Sequence, residues 1–300
     1  MGGGGGVVGS GVLEELAGRY AIRSYHRTPI KEERGKVEFV PGDLHQTERF
    51  PELVKGVDAV VNLVWYRQPG PDRLYARTAK DLLALLEASR AGGVHQFVQV
   101  SLPPAPPELE ARTPYLRRRR EFESALQDSG LKVTLIQPSA IFAHRDRLVH
   151  VMLELMRRYG RFPLFGEGDY HISPIWHRDV GWLVGEALDD RLKGTVLAGG
   201  PERFTYLELL ELLQRSLGRR VRWVKVSRTT GRWAVRFFNS VGWHVLFTYE
   251  YDWLLSDMLG FSSPPHPGRE FQRLEPFLRE EPAGPHEAAP ASRPSRPSHR

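Results

Sequence analysis

The sequence predicts an α/β fold: a doubly wound parallel sheet with a smaller C-terminal mixed α/β lobe. Three observations carry this expectation. Short apolar runs alternate with stretches of helical periodicity through the first half of the chain. A glycine-rich segment opens the first helical stretch, and the alternation gives way to a mixed pattern after Gln137. Strands that are apolar throughout and separated by helices are buried on both faces, as in a parallel sheet covered by its own crossovers.

The strand-like runs are residues 20–25, 37–40, 58–64, 96–101 and 131–137. Between them, residues 74–91 carry Leu82, Leu83, Leu85 and Leu86, and residues 115–126 repeat at helical spacing. Further on, helices are predicted at 146–159, 179–188 and 205–217, with short strands at 170–175 and 195–198. In the helix 205–217, Leu207, Leu210 and Leu213 are assigned to the core. The resulting division is a core of residues 1–140 completed by about 178–200, a lobe of 141–280, and a tail 281–300. That tail is rich in proline, alanine and arginine, lacks periodicity, and is expected to be disordered.

Gly3, Gly6 and Gly9 stand three residues apart ahead of a helix whose buried face is Val8, Val12, Leu13 and Leu16. Glycines there let a backbone approach a pyrophosphate, and the helix N-terminus adds unpaired N–H groups and a positive dipole. Gly3, Gly6, Val7, Val8 and Gly9 are therefore the candidate phosphate loop of a Rossmann-like sheet. Such a loop ordinarily follows a central strand of about five apolar residues. Only Met1 and Gly2 precede this one. The first central strand is expected to be missing, leaving neighbouring strands unpaired, and a form extended upstream is expected to be more stable.

Arg27 follows the next strand, about twenty residues beyond the loop, where a guanidinium favours the 2′-phosphate of NADP(H) over the free ribose of NAD(H). Asp43 and Leu44, after the run 37–40, are placed at the adenine. Asn62 and Val64 close the run 58–64 beside the cofactor.

With no cysteine, disulfides and thiolate metal sites are excluded. The 11 histidines include no H-E-x-x-H pair, and no metal site is expected. The net charge of +6 is concentrated in Arg117, Arg118, Arg119 and Arg120 and in the tail, which argues against a nucleic-acid surface. No apolar run reaches the roughly 20 residues of a membrane-spanning helix, and a cytoplasmic protein is expected. Residues 233–247 hold Trp233, Phe237, Phe238, Trp243 and Phe247 among basic side chains. They read either as a helix packed inward over a substrate cleft or as a contact with a protein or a membrane surface.

The order of Gly3-Gly4-Gly5-Gly6-Val7-Val8-Gly9, Gly42-Asp43-Leu44, Val98-Gln99-Val100-Ser101, Pro114-Tyr115, Gln137-Pro138-Ser139 and Ser173-Pro174-Ile175 resembles atypical or extended short-chain dehydrogenases/reductases. The nearest likeness is to relatives of the NADPH-binding accessory subunit of respiratory complex I. The resemblance implies an oxidoreductase or epimerase-like reductase acting on an unidentified small molecule, with Pro138 and Ser139 near the cofactor. Its catalytic positions fall on Ser101, Tyr115 and Arg119. Active relatives carry lysine where Arg119 stands, and the planar, permanently charged guanidinium is not an equivalent. The alternative is a catalytically silent NADPH-binding protein with a redox-sensing or assembly role.

Overall fold

The computed structural model describes residues 1–27, 36–144, 146, 149–242 and 246–280. Thr28 and Pro29, the tail 281–300, and Trp243 and His244 of the aromatic segment lie outside the described residues. In chain order the first half holds α1 (Val7–Leu16), β1 (Ile22–His26), β2 (Val37–Pro41), the one-turn α2 (Phe50–Leu53), β3 (Ala59–Asn62), α3 (Asp72–Ala91), β4 (Gln96–Val100), the short α4 (Pro107–Arg112), α5 (Pro114–Gln127) and β5 (Lys132–Pro138). The long α3 buries Tyr75, Ala79, Leu82, Leu85 and Leu86 along one stripe and ends at Gly92-Gly93, where Gly93 takes a positive φ.

The second half follows as β6 (Ile141–Phe142), α6 (Val149–Tyr159), β7 (Arg161–Phe165), β8 (His171–Ile172), β9 (Ile175–Trp176), α7 (His177–Leu188), β10 (Gly194–Ala198), β11 (Phe204–Thr205), α8 (Tyr206–Ser216), β12 (Arg222–Val226), α9 (Arg228–Ser240), α10 (Thr248–Leu255) and α11 (Leu274–Glu280). A capping box formed by Thr205 and Glu208 starts α8, and Leu210 and Leu213 are fully buried while Leu207 is only partly so. Ser173-Pro174 splits the strand predicted at 170–175 into β8 and β9.

The main sheet is parallel. β10, β5, β4 and β3 pair in that order, and β1 pairs with β2. Between β3 and β1 lies the segment 1–3. Tyr25 N–H donates to Met1 O (2.8 Å), Gly3 N–H to Tyr25 O (3.3 Å), Gly2 N–H to Val61 O (2.9 Å) and Leu63 N–H to Gly2 O (3.1 Å). Three residues thus bridge the centre of the sheet at the end nearest the loop. Ladder bonds use only backbone groups, so glycine makes them as well as valine does.

Helices cover both faces. Tyr75, Leu82, Phe97, Leu116 and Phe122 belong to one core cluster, and Val12, Leu16, Val98, Val180 and Leu183 to the other. A third cluster fills the lobe around Met156, Phe165, Leu210 and Tyr251. The inward-packed reading of residues 233–247 fails for α9: Trp233 is 65% and Phe237 62% exposed, whereas Phe247 is buried. Only Gly231 and Val235 of α9 are buried, because its other positions project away from the lobe.

Candidate dinucleotide site

The parallel strands aim their carboxyl ends at one edge, and there α1 begins. Its N-cap, Gly6, has extended backbone and no side-chain hydrogen bond to the first turn. The leading N–H groups are consequently without a capping side chain, which suits an anion. A Cβ on Gly9 would lie 2.3 Å from Gly3 O and 2.5 Å from Gly4 O, so only glycine lets the loop fold back on the helix.

The aim of α1 is fixed from behind by α7. A Cβ on Gly11 would stand 2.3 Å from His177 O, and one on Gly181 would stand 2.4 Å from Gly11 O. The two helices therefore meet backbone to backbone. His177 adds its Nδ1 at 3.2 Å from Val7 O and 3.3 Å from Ser10 Oγ. Burial, the larger cause, holds the imidazole pKa below its ordinary value of 6.5. Neither Gly11, Gly181 nor His177 was among the sequence candidates. Isolated glycines inside helical patterns were the available signal.

Asn62 is buried and sets the turn after β3. Its Oδ1 accepts from Val64 N–H (3.1 Å), and its Nδ2 donates to Gln99 Oε1 (2.8 Å) and Val64 O (3.2 Å). The Val64 side chain comes to 3.0 Å of where a Cβ on Gly3 would be, so this turn and the glycine loop are brought together. Across β1, Arg27 is 81% exposed, with its Nε 3.8 Å from Asp43 Oδ2. Asp43 also accepts His45 N–H at Oδ1 (3.0 Å) and the Tyr25 hydroxyl at its carbonyl (2.8 Å). Leu44 packs partly buried against the first core cluster.

Ser101, Tyr115 and Arg119 also meet, but in a closed arrangement. Arg119 Nη1 donates to Tyr115 Oη (3.1 Å), Nε to Ser101 Oγ (2.9 Å) and Nη2 to Val100 O (2.8 Å). The Ser101 hydroxyl donates in turn to Glu123 Oε1. Tyr115 is 2% exposed. Its ring stacks on Tyr249 at 4.8 Å and 11°, and touches Tyr75 and Trp253 at 5.5 Å and Trp65 at 6.4 Å. Arg119 lies 5.3 Å over the Trp65 ring. α10 thus seals the tyrosine that the resemblance marks as the proton carrier.

Glu123, Tyr249 and Trp253 were missed by sequence reasoning. Glu123 repeats Arg119 at i+4 on α5, and Trp253 repeats Tyr249 likewise on α10, which is all the signal the chain offers. Of the other arginines of the run, Arg117 and Arg118 point elsewhere, while Arg120 meets the same group from its far side through Glu123. Arg118 pairs with Asp72 (2.6 Å) and Glu121 (2.9 Å), Arg120 with Glu110 (2.9 Å) and Glu123, and Arg117 with Asp72 (3.6 Å). Pro138 ends β5, and the following Ser139 gives its hydroxyl to Leu259 O (2.6 Å). Among the described residues no cluster of His, Cys, Asp or Glu has metal-binding geometry.

Residues 3–155 match the NAD(P)H-binding family, a span that includes the loop, Arg27, Asn62 and the whole Ser101–Tyr115–Arg119 group. The chain belongs to that family. It is a Rossmann protein like the atypical short-chain dehydrogenases/reductases, with nicotinamide dinucleotide as its ligand class. The family member is 28% identical over 144 residues to NADH dehydrogenase [ubiquinone] 1 alpha subcomplex subunit 9 of Arabidopsis thaliana mitochondria. That match covers 47% of this chain and 35% of the relative, so the chain spans about a third of that protein's length. It is also 30% identical over 240 residues to (4-alkanoyl-5-oxo-2,5-dihydrofuran-3-yl)methyl phosphate reductase of Streptomyces griseus, covering 77% of each chain. A nucleoside-diphosphate-sugar epimerase of Staphylococcus aureus shares the fold at a TM-score of 0.75 and 19% identity, over 93% of this chain and 98% of that one.

Proposed function

We propose that this protein binds NADP(H) and keeps it as a bound ligand, serving a redox-sensing or assembly role instead of transferring a proton through Tyr115. The observation that carries this reading is the enclosure of Tyr115 by Tyr249, Trp253, Tyr75 and Trp65, with its hydroxyl on Arg119.

The phosphate end of the site suits the dinucleotide. The uncapped start of α1 and the glycines 3, 6 and 9 would hold the pyrophosphate together with the N–H groups of Val7 and Val8. Arg27 would pair with the 2′-phosphate, and Asp43 and Leu44 would border the adenine. Asn62 contributes by holding the Val64 turn against Gly3, because its own polar atoms are already bonded. Pro138 and Ser139 border the nicotinamide end, where the Ser139 hydroxyl is likewise committed. Bound there, the cofactor supplies hydride chemistry; the residues around Tyr115 offer it no exposed acid.

Titrating the protein with NADPH and NADH by the fluorescence of the reduced ring, then assaying a panel of carbonyl and nucleotide-sugar substrates, tests the proposal. Tight NADPH binding without turnover is expected. A second reading, a reductase, is favoured by the 30% identity to the Streptomyces griseus reductase. It requires α10 to leave Tyr115. Turnover that Tyr115→Phe lowers at least about a hundredfold establishes it in place of the first.

A further inference from the structure

We propose that α9, with the cleft beside it, docks the protein on an anionic lipid surface.

Trp233, Phe237 and Val241 follow one another at four-residue spacing from α9 into its C-cap and are each more than three-fifths exposed. At about 100° per residue they form one ridge. The buried positions, Gly231 and Val235, lie on the opposite side of the helix, so α9 is apolar both toward the protein and away from it. A surface helix normally turns charge outward, and an apolar outer face calls for a second apolar medium.

The flank of the ridge is basic. Arg236 lies 5.5 Å over the Trp233 ring. Arg232 makes two bonds to Asp252 (2.9 and 3.1 Å), and Arg228 pairs with Asp169 (2.9 Å). Between α4, α9 and α10 opens a cleft of about 340 Å³, in which Arg112, Arg228, Arg232 and Arg236 outnumber the two lining carboxylates, Glu108 and Asp252. Asp252 is already shared by Arg232 and Arg112. Guanidinium groups recognise phosphodiesters by charge-assisted bonds.

Charge and shape together select the occupant. Stable protein interfaces engage about 20–30 residues a side, whereas this ridge is a few side chains on one convex helix. Insertion into the headgroup boundary needs only such an apolar face with basic neighbours, and tryptophan and phenylalanine are suited to that depth. Among the described residues no helix is long and apolar enough to cross a membrane, so the contact proposed is peripheral.

Co-sedimentation of the full chain with vesicles of phosphatidylcholine alone, or of phosphatidylcholine with phosphatidylglycerol, tests this. Binding to the anionic vesicles only, weakened by salt, is expected. The pair Trp233→Ser and Phe237→Ser should lower the partition at least about tenfold, and Arg236→Gln about fivefold. Because these side chains are exposed, the thermal midpoint and the NADPH titration should stay unchanged, which separates this result from the proposed dinucleotide function. A blue shift of tryptophan emission on anionic vesicles should shrink in Trp233→Phe. Failure to bind either vesicle overturns the proposal, as does equal binding to both. Binding of soluble glycerol phosphate without vesicle binding would reassign the cleft to a free metabolite. A dimer in sedimentation velocity that the double serine variant dissociates, again without vesicle binding, would reassign the ridge to self-association.

Discussion

The two ends of the candidate cofactor cleft are built differently. At the phosphate end, the start of α1 has no side-chain cap and Arg27 projects into solvent. At the other end the polar groups are committed to one another: Ser101 donates to Glu123, Arg119 serves Ser101, Tyr115 and Val100, and Tyr249 covers the phenol. One end is arranged to receive an anion, while the other is arranged as core. Binding and chemistry are separable properties of this fold, and the difference indicates that the first can persist where the second is closed.

The sharpest way to break the comparison is Arg119→Ala. If the Ser101–Tyr115–Arg119 group is core, removing a buried guanidinium that donates to Ser101, Tyr115 and Val100 O should cost about 3–5 kcal/mol in urea unfolding, roughly 1–2 kcal/mol for each buried bond. A loss below about 1 kcal/mol would show that this end is not structural. Tyr249→Ala comes next. Removing a stacked, buried ring should cost about 3 kcal/mol, and the opened space should produce no turnover. Appearance of Tyr115-dependent turnover would show α10 to be a removable cover over a working site.

Arg27→Ala probes the open end. Its exposed side chain predicts an unchanged unfolding curve, whereas NADPH affinity should fall by about 1.5–3 kcal/mol with NADH unaffected. Equal losses for both dinucleotides would remove the 2′-phosphate assignment.

The smallest effect concerns the α1–α7 contact. The His177 pKa is held below 6.5 by burial, so the unfolded chain takes up this proton before the folded one does. The contribution of neutral His177 is complete above about pH 6.5 and is lost as pH falls through the lower folded value. His177→Asn keeps a donor for Val7 O and should flatten the stability profile in that acidic window. His266, also depressed by burial, should leave a residual slope. An unchanged profile would place the sensitivity elsewhere.

What the sequence determined by itself was whatever short-range pattern records. Alternating apolar runs specified parallel strands, spaced glycines specified a loop folded onto a helix, and helical periodicity specified a helix at 205–217, where α8 stands. These follow from backbone sterics and local periodicity, which a few neighbouring residues express. Tertiary structure alone decided that Tyr249 covers Tyr115, that Glu123 takes the Ser101 hydroxyl, and that Gly11 meets Gly181. It also decided that the aromatics of α9 face outward while Phe247 faces in. Those pairings join side chains distant in the chain, and periodicity shows that a face is apolar without showing what will cover it. The segment 1–3 illustrates the same limit. Its side chains carry no strand signal, yet its backbone completes hydrogen bonds to both neighbouring strands because the surrounding sheet supplies the partners.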